Sequence, residues 1–171
     1  MLIGTEGAAE FAAHRDGGID PRLVFASIPG RTREDVLAEL SRRVAAQGAV
    51  PDAADLAARL LDREKLGCTG LGDGIAIPHC KVPGIDRVAV AVATTEQPVD
   101  FGAADRKPIR LIFLVVSPTQ AAAAHLQALA RVSRLLRGPG VAQRLREAGS
   151  SEQLRDALQA AEAGLHQAVP Q

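Results

Sequence analysis

The 171-residue chain carries twenty basic and twenty acidic residues, so its formal charge is zero, and the basic excess that a nucleic-acid or membrane-surface footprint needs is absent. Apolar residues make up 47% of it but aromatic residues only 2%, with no Trp or Tyr, which excludes the stacking platforms used on single strands and leaves Leu, Val, Ile and Ala to build the core. Its longest apolar runs, VAVAVA at 88–93 and LIFLVV at 111–116, fall far short of a membrane span.

The first residues lack a basic segment followed by a long apolar one. Cys68 and Cys80 make no disulfide framework. A cytoplasmic protein with no direct membrane insertion is therefore expected.

Residues 1–18 are rich in Gly and Ala and read as a loosely held tail, with His14 solvated. Residues 19–28 (IDPRLVFASI) alternate enough for a short strand, which Pro21 demotes towards an edge. Thr32 stands as an N-cap with Asp35 in a capping-box place. Val36, Leu37, Leu40 and Val44 fall at helical spacing, so residues 33–47 form an amphipathic helix that Gly48 stops. A second helix starts at Pro51-Asp52, buries Leu56, Leu60 and Leu61, and ends near residues 63–65. Residues 87–94 form a strand apolar on both faces, as a central strand covered on both sides must be. A loop over 98–105 leads to a second central strand, 109–116. Ser117-Pro118-Thr119 ends that strand and opens a long helix over 120–137, its stripe drawn from Leu126, Leu129, Val132, Leu135 and Leu136. Gly138-Pro139-Gly140 breaks it. A short helix over 141–148 follows, and Ser150 with Gln153 makes a capping box for a last helix ending near Ala163. From Gly164 onward the chain should fray. No repeat or interdomain linker is visible. The expected fold is α/β, one domain over residues 19–164, with a mixed sheet of about five strands sandwiched between helices and tails at 1–18 and 165–171.

The densest chemistry lies in LDREKLGCTGLGDGIAIPHCK, residues 61–81. Gly70, Gly72 and Gly74 alternate, as suits backbone that bends sharply or approaches another molecule. Pro78 fixes its own φ and pushes Ile77 towards extended geometry, so the imidazole of His79 leaves a stiff platform in a set direction.

TGLGDGIAIPHCK preceded by LDREK resembles the phosphorylation-site signature of the fructose/mannitol-type (type 2) enzyme IIA domain of the bacterial phosphoenolpyruvate-dependent phosphotransferase system. The pattern resembles its nitrogen-regulatory branch most. The resemblance runs from about Leu23 to Ala163 and implies a mixed sheet between helices. It implies that His79 accepts phosphate from the phosphohistidine of an HPr-like carrier, as a tele-phosphohistidine. It implies that Arg63 of the REK element and His125 of AAAAHLQAL complete the catalytic site. Two positions depart from the family pattern. Asp73 stands where Asn is usual, adding a negative charge near an incoming phosphate. Cys80 stands where Gly is usual after the histidine.

The residue types suit that chemistry. A neutral imidazole nitrogen is the nucleophile once its other nitrogen is held as a donor. The backbone N–H groups of Gly70, Gly72 and Gly74 can cradle phosphate oxygens, Arg63 offers a fork of donors, and His125 can donate to the phosphate or orient His79. Neither metal nor cofactor is needed. Cys68, His79, Cys80 and His125 are zinc-ligand types, but their spacing fits no ribbon or finger. Nothing local activates Cys80 for redox work. Glu64 and Lys65 read as a solvated pair, and Lys81 as a docking contact for an acidic patch.

Three functions are open at this level. The chain stops after one such domain, without a IIB-like segment, which suits a regulatory phosphocarrier whose phosphorylation state controls potassium transporters or sensor kinases. A sugar-specific component would instead pass phosphate from His79 to a IIB cysteine. A binding module that has lost transfer is the third.

Overall fold

The two continuous apolar runs become neighbouring strands at the middle of a six-stranded mixed sheet, in a computed structural model that describes residues 18–167. The strands are β1 (Val24–Ile28), β2 (Gly70–Gly72), β3 (Ile75–Ala76), β4 (His79–Val82), β5 (Ala89–Val99) and β6 (Ile109–Pro118). Their order is β1-β5-β6-β3-β2, and β4 follows β3 along the same edge of β6. β5 and β6 pair antiparallel, β1 joins β5 in parallel, and β3 and β4 both join β6 in parallel. Five helices cover the sheet: α1 (Arg33–Ala46), α2 (Ala53–Lys65), α3 (Ala122–Leu136), α4 (Val141–Glu147) and α5 (Ser151–Gln167).

Side chains alternate across a strand, so β5 and β6 feed two cores. Ala91, Ala93, Ile112, Leu114 and Val116 pack with Val36, Leu37, Leu40 and Val44 of α1 and Leu56 and Leu60 of α2. On the opposite face Val90, Val92, Leu111, Phe113 and Val115 pack with Val132 of α3, Leu145 of α4 and Leu158 of α5. Each fully buried aliphatic chain contributes about 1.5–3 kcal/mol. These two clusters, rather than the few ladder bonds of β2 to β4, hold the edge on which the histidine motif lies.

The capping box at α1 forms as expected: Thr32 Oγ1 accepts from the Asp35 N–H at 3.1 Å, and the Asp35 carboxylate accepts from the Thr32 N–H at 3.2 Å. Several boundaries differ from the sequence reading. The first strand starts only at Val24, because Pro21–Leu23 make a 3₁₀ turn capped by Asp20. At α5, Ser150 Oγ accepts from the Gln153 N–H, but the Gln153 side chain takes the Gly149 N–H instead of closing the box on Ser150. α5 also continues to Gln167, past the expected end near Ala163. The stripe of α3 is shifted as well. Leu126 is 66% exposed, and the buried line runs through His125, Ala128, Val132 and Leu135. β6 extends through Ser117 and Pro118 instead of ending before them. The tail at 1–17, with His14, and residues 168–171 lie outside the described residues.

Candidate functional site

His79 is held by backbone on both sides. The Ile77 N–H donates to Thr69 O at 3.0 Å, and the Pro78 carbonyl accepts from the Val115 N–H at 3.0 Å. His79 then opens β4 opposite Val115. Its Nδ1 lies 2.8 Å from Ile77 O. A carbonyl oxygen can only accept, so Nδ1 carries the proton and Nε2 carries the lone pair. The tautomer of the His79 imidazole is thus set by a residue two positions back along the same rigid segment.

Alternation along β4 decides what His79 faces. Cys80 and Val82 turn to the α1–α2 core, and His79 leaves by the other face towards α3. There the rings of His79 and His125 stand 5.4 Å apart, centroid to centroid, at 53°. His125 is only 8% exposed, because it lies on the buried stripe of α3. Its Nδ1 is 2.6 Å from Ser117 Oγ. Burial, and then electrostatic repulsion from the neighbouring His79 and Lys81, hold its pKa below the ordinary value, so the neutral ring is favoured. Lys81 is exposed.

Arg63 is half-buried on the last turn of α2 and donates from Nη1 to Gly67 O at 3.0 Å. Its neighbour corrects the sequence reading. Glu64 is 4% exposed and not a solvated partner of Lys65, which pairs with Asp62 at 3.1 Å. The Glu64 carboxylate accepts both the N–H and the hydroxyl of Thr69. α2 therefore clamps Thr69, Thr69 holds Ile77, and Ile77 holds His79. An acid one position after Arg63 falls on the inner face of the helix, and the stripe Leu56–Leu60–Glu64 at four-residue spacing was the available signal.

Gly74 is not brought to His79. Gly70–Gly72 is itself strand β2, and Asp73-Gly74 is the two-residue turn that returns the chain into β3. Both turn residues have positive φ, 54° for Asp73 and 77° for Gly74, as a type I′ hairpin requires. Gly74 O accepts from the Arg110 N–H, whereas His79 is opposite Val115; those five residues span about 16 Å of strand. Asp-Gly was legible as a hairpin signal. Because β2 runs antiparallel to β3, residues 67–69 run back towards Pro78 and His79, and Arg63 bonds to that segment. Asp73 sits at the far tip, its carboxylate on Lys107 Nζ at 2.8 Å and its N–H on Asp105 at 2.9 Å. At position 80, burial pushes the Cys80 thiol up to about 12, and its side chain packs on the face away from His79.

The chain matches, over residues 19–161, the profile of the family described as phosphoenolpyruvate-dependent sugar phosphotransferase system, EIIA 2. A nitrogen regulatory protein of Bradyrhizobium diazoefficiens is 34% identical over 82% of this chain and 91% of its own. A phosphotransferase-system fructose-specific EIIA component of Haloferax volcanii is 35% identical over 80% of this chain and 88% of its own. Among solved structures, nitrogen regulatory protein IIA-Ntr from Neisseria meningitidis superposes with a TM-score of 0.71 at 30% identity, covering 81% of this chain and 93% of that one. Among the described residues no helix is long and apolar enough to cross a membrane.

Proposed function

The chain belongs to the type 2 enzyme IIA family of the phosphoenolpyruvate-dependent sugar phosphotransferase system, and on that premise we propose that it is a phosphocarrier whose acceptor atom is Nε2 of His79. The observation that carries this reading is the bond from Nδ1–H to Ile77 O, which leaves Nε2 unprotonated beside His125. The donor is an HPr-like protein bearing a phosphohistidine. The Nε2 lone pair attacks phosphorus, the new N–P bond forms as the carrier's N–P bond breaks, and that electron pair returns to the carrier's imidazole. Nδ1 keeps its proton on Ile77 throughout, so only the phosphoryl group moves. Catalysis is then positioning and charge stabilisation. His125 supplies a donor to the phosphoryl oxygens, and Arg63, on the segment that runs back to His79, supplies a guanidinium. Gly70, Gly72 and Gly74 shape the β2–β3 hairpin at the edge of the sheet, with Gly74 at its far turn.

The downstream role is regulatory, of the nitrogen type, exercised in the cytoplasm by the domain at residues 19–164 through partners that sense its phosphorylation state. The similarity to nitrogen regulatory proteins in both sequence and structure supports this. A sugar-uptake role, passing phosphate to a IIB cysteine, is the second reading, favoured by the similarity to a fructose-specific component. Mass spectrometry after mixing with phosphoenolpyruvate, enzyme I and HPr tests the chemistry. An acid-labile gain of one phosphate is expected in the wild type and not in His79→Ala. No gain in the wild type overturns the carrier reading and leaves a binding module. Onward transfer to a IIB protein separates the two carrier roles.

A further inference from the structure

The hydroxyl that meets His125 belongs to no motif in the sequence. Ser117 lies in the last part of β6, fully buried, and its Oγ is 2.6 Å from His125 Nδ1. A hydroxyl has one proton to place, and a buried donor left without an acceptor is costly. Among the described residues, Nδ1 of His125 is the only hydrogen-bond partner of this hydroxyl. If His125 were the donor, the Ser117 proton would have nowhere to go. If Ser117 donates, both its proton and the Nδ1 lone pair are satisfied, and the single proton of a neutral His125 ring stands on Nε2.

We propose that Ser117 is a positioning residue for phosphoryl transfer: its hydroxyl donates to Nδ1 of His125 and holds that ring as the Nε2–H tautomer. The inference rests on the phosphocarrier reading given above. The opposite tautomer would turn a lone pair towards the phosphoryl oxygens of phosphorylated His79 and repel them. The device parallels the one at His79 and inverts it. There a carbonyl on Nδ1 forces the lone pair onto Nε2 and makes a nucleophile; here a hydroxyl on Nδ1 forces the proton onto Nε2 and makes a donor. Two adjacent imidazoles thus receive opposite tautomers from the groups behind them. β6 carries both fixtures, since Val115 N–H holds the Pro78 carbonyl and Ser117 meets His125 two residues later. The exposed ammonium of Lys81, paired in register with Ser117, also disfavours a charged His125.

The test joins a spectroscopic readout with a kinetic one on the full chain. Nitrogen-15 NMR of the imidazoles reports the tautomer without any transfer. In the wild type at pH 8, His79 should show a protonated Nδ1 and His125 a protonated Nε2. Ser117→Ala should lose the single-tautomer signature at His125 and keep it at His79. Single-turnover transfer from a phosphorylated HPr-type carrier should fall on the order of tenfold at saturating carrier, less than the 10²–10³ expected for removing a transition-state donor outright, with the half-saturating concentration unchanged. Ser117→Thr, which restores the hydroxyl, should recover both signals. A protonated Nδ1 on wild-type His125 overturns the assignment. An unchanged rate in Ser117→Ala despite a changed tautomer overturns the positioning role, as does a loss in Ser117→Ala that Ser117→Thr fails to rescue while both proteins stay folded. A wild type that takes no phosphate at all overturns the carrier reading, and the tautomer result stands apart from it.

Discussion

Replacing Glu64 by alanine removes the one acceptor that serves two donors of Thr69. Glu64 is 4% exposed and Thr69 is 8% exposed, so neither donor has easy access to water. An unsatisfied buried donor costs about 1–3 kcal/mol, which for two gives about 2–6 kcal/mol. Two terms reduce that. The N–H bond is long at 3.3 Å, and losing a buried carboxylate relieves its own desolvation. We therefore expect Glu64→Ala to destabilise the fold by about 2 kcal/mol, read as a fall in the urea midpoint at constant m. Thr69→Val removes the hydroxyl from the other side. The double mutant should recover at least about 1 kcal/mol relative to the sum of the singles. Because Thr69 O holds Ile77 and Ile77 O holds His79, phosphoryl transfer should slow in Glu64→Ala. It should not slow in Asp62→Ala, which breaks only the exposed pair with Lys65. Strict additivity of the two singles, or a Glu64→Ala protein within about 0.5 kcal/mol of wild type, the scatter of ordinary surface changes, would refute the clamp.

Protonation offers a second test. The folded-state pKa of His125 lies below its ordinary value of 6.5, so below that pH the unfolded chain binds a proton that the folded one refuses, and stability falls as pH drops from about 7 towards 5. His125→Gln should flatten that slope in urea midpoints taken across the same range. The Cys80 thiol, pushed up to about 12, should alkylate at pH 8 about a thousandfold more slowly than an unperturbed cysteine, measured with iodoacetamide in a Cys68→Ser background. At the hairpin tip, Asp73→Asn should leave both melting temperature and transfer rate unchanged, because Asn accepts positive φ as readily. Asp73→Val should cost about 1–2 kcal/mol for the left-handed backbone alone, seen as a lower melting temperature with the initial transfer rate at 25 °C retained.

The apolar runs of β5 and β6, the Thr32–Asp35 cap and the helical spacing of Val36, Leu37, Leu40 and Val44 were all readable in order along the chain. They depend on periodicities of two and 3.6 and on local hydrogen bonds, and these need only neighbouring residues. For the same reason His79 stood out, since Pro78 and the extended Ile77 are its immediate neighbours. Distance across the sheet is another matter. Only the pairing register shows that Gly74 lies beside Arg110 while His79 lies beside Val115, which puts Gly74 in a hairpin turn and carries Asp73 away with it. Alternation along β4 turned Cys80 to the opposite core, a placement that no local count of residue types provides. Ser117 was invisible because Ser-Pro-Thr reads as a strand end. The tertiary structure carries β6 two residues further and lays α3 over it, so that a buried hydroxyl meets His125. The sequence by itself singled out His79 as the candidate acceptor, because Pro78 and the motif around it are local. Pairing of β3 and β4 with β6, and the packing of α3 over that edge, decided that His79 and His125 meet and that a buried Ser117 stands behind the second ring, because those contacts join segments far apart in the chain.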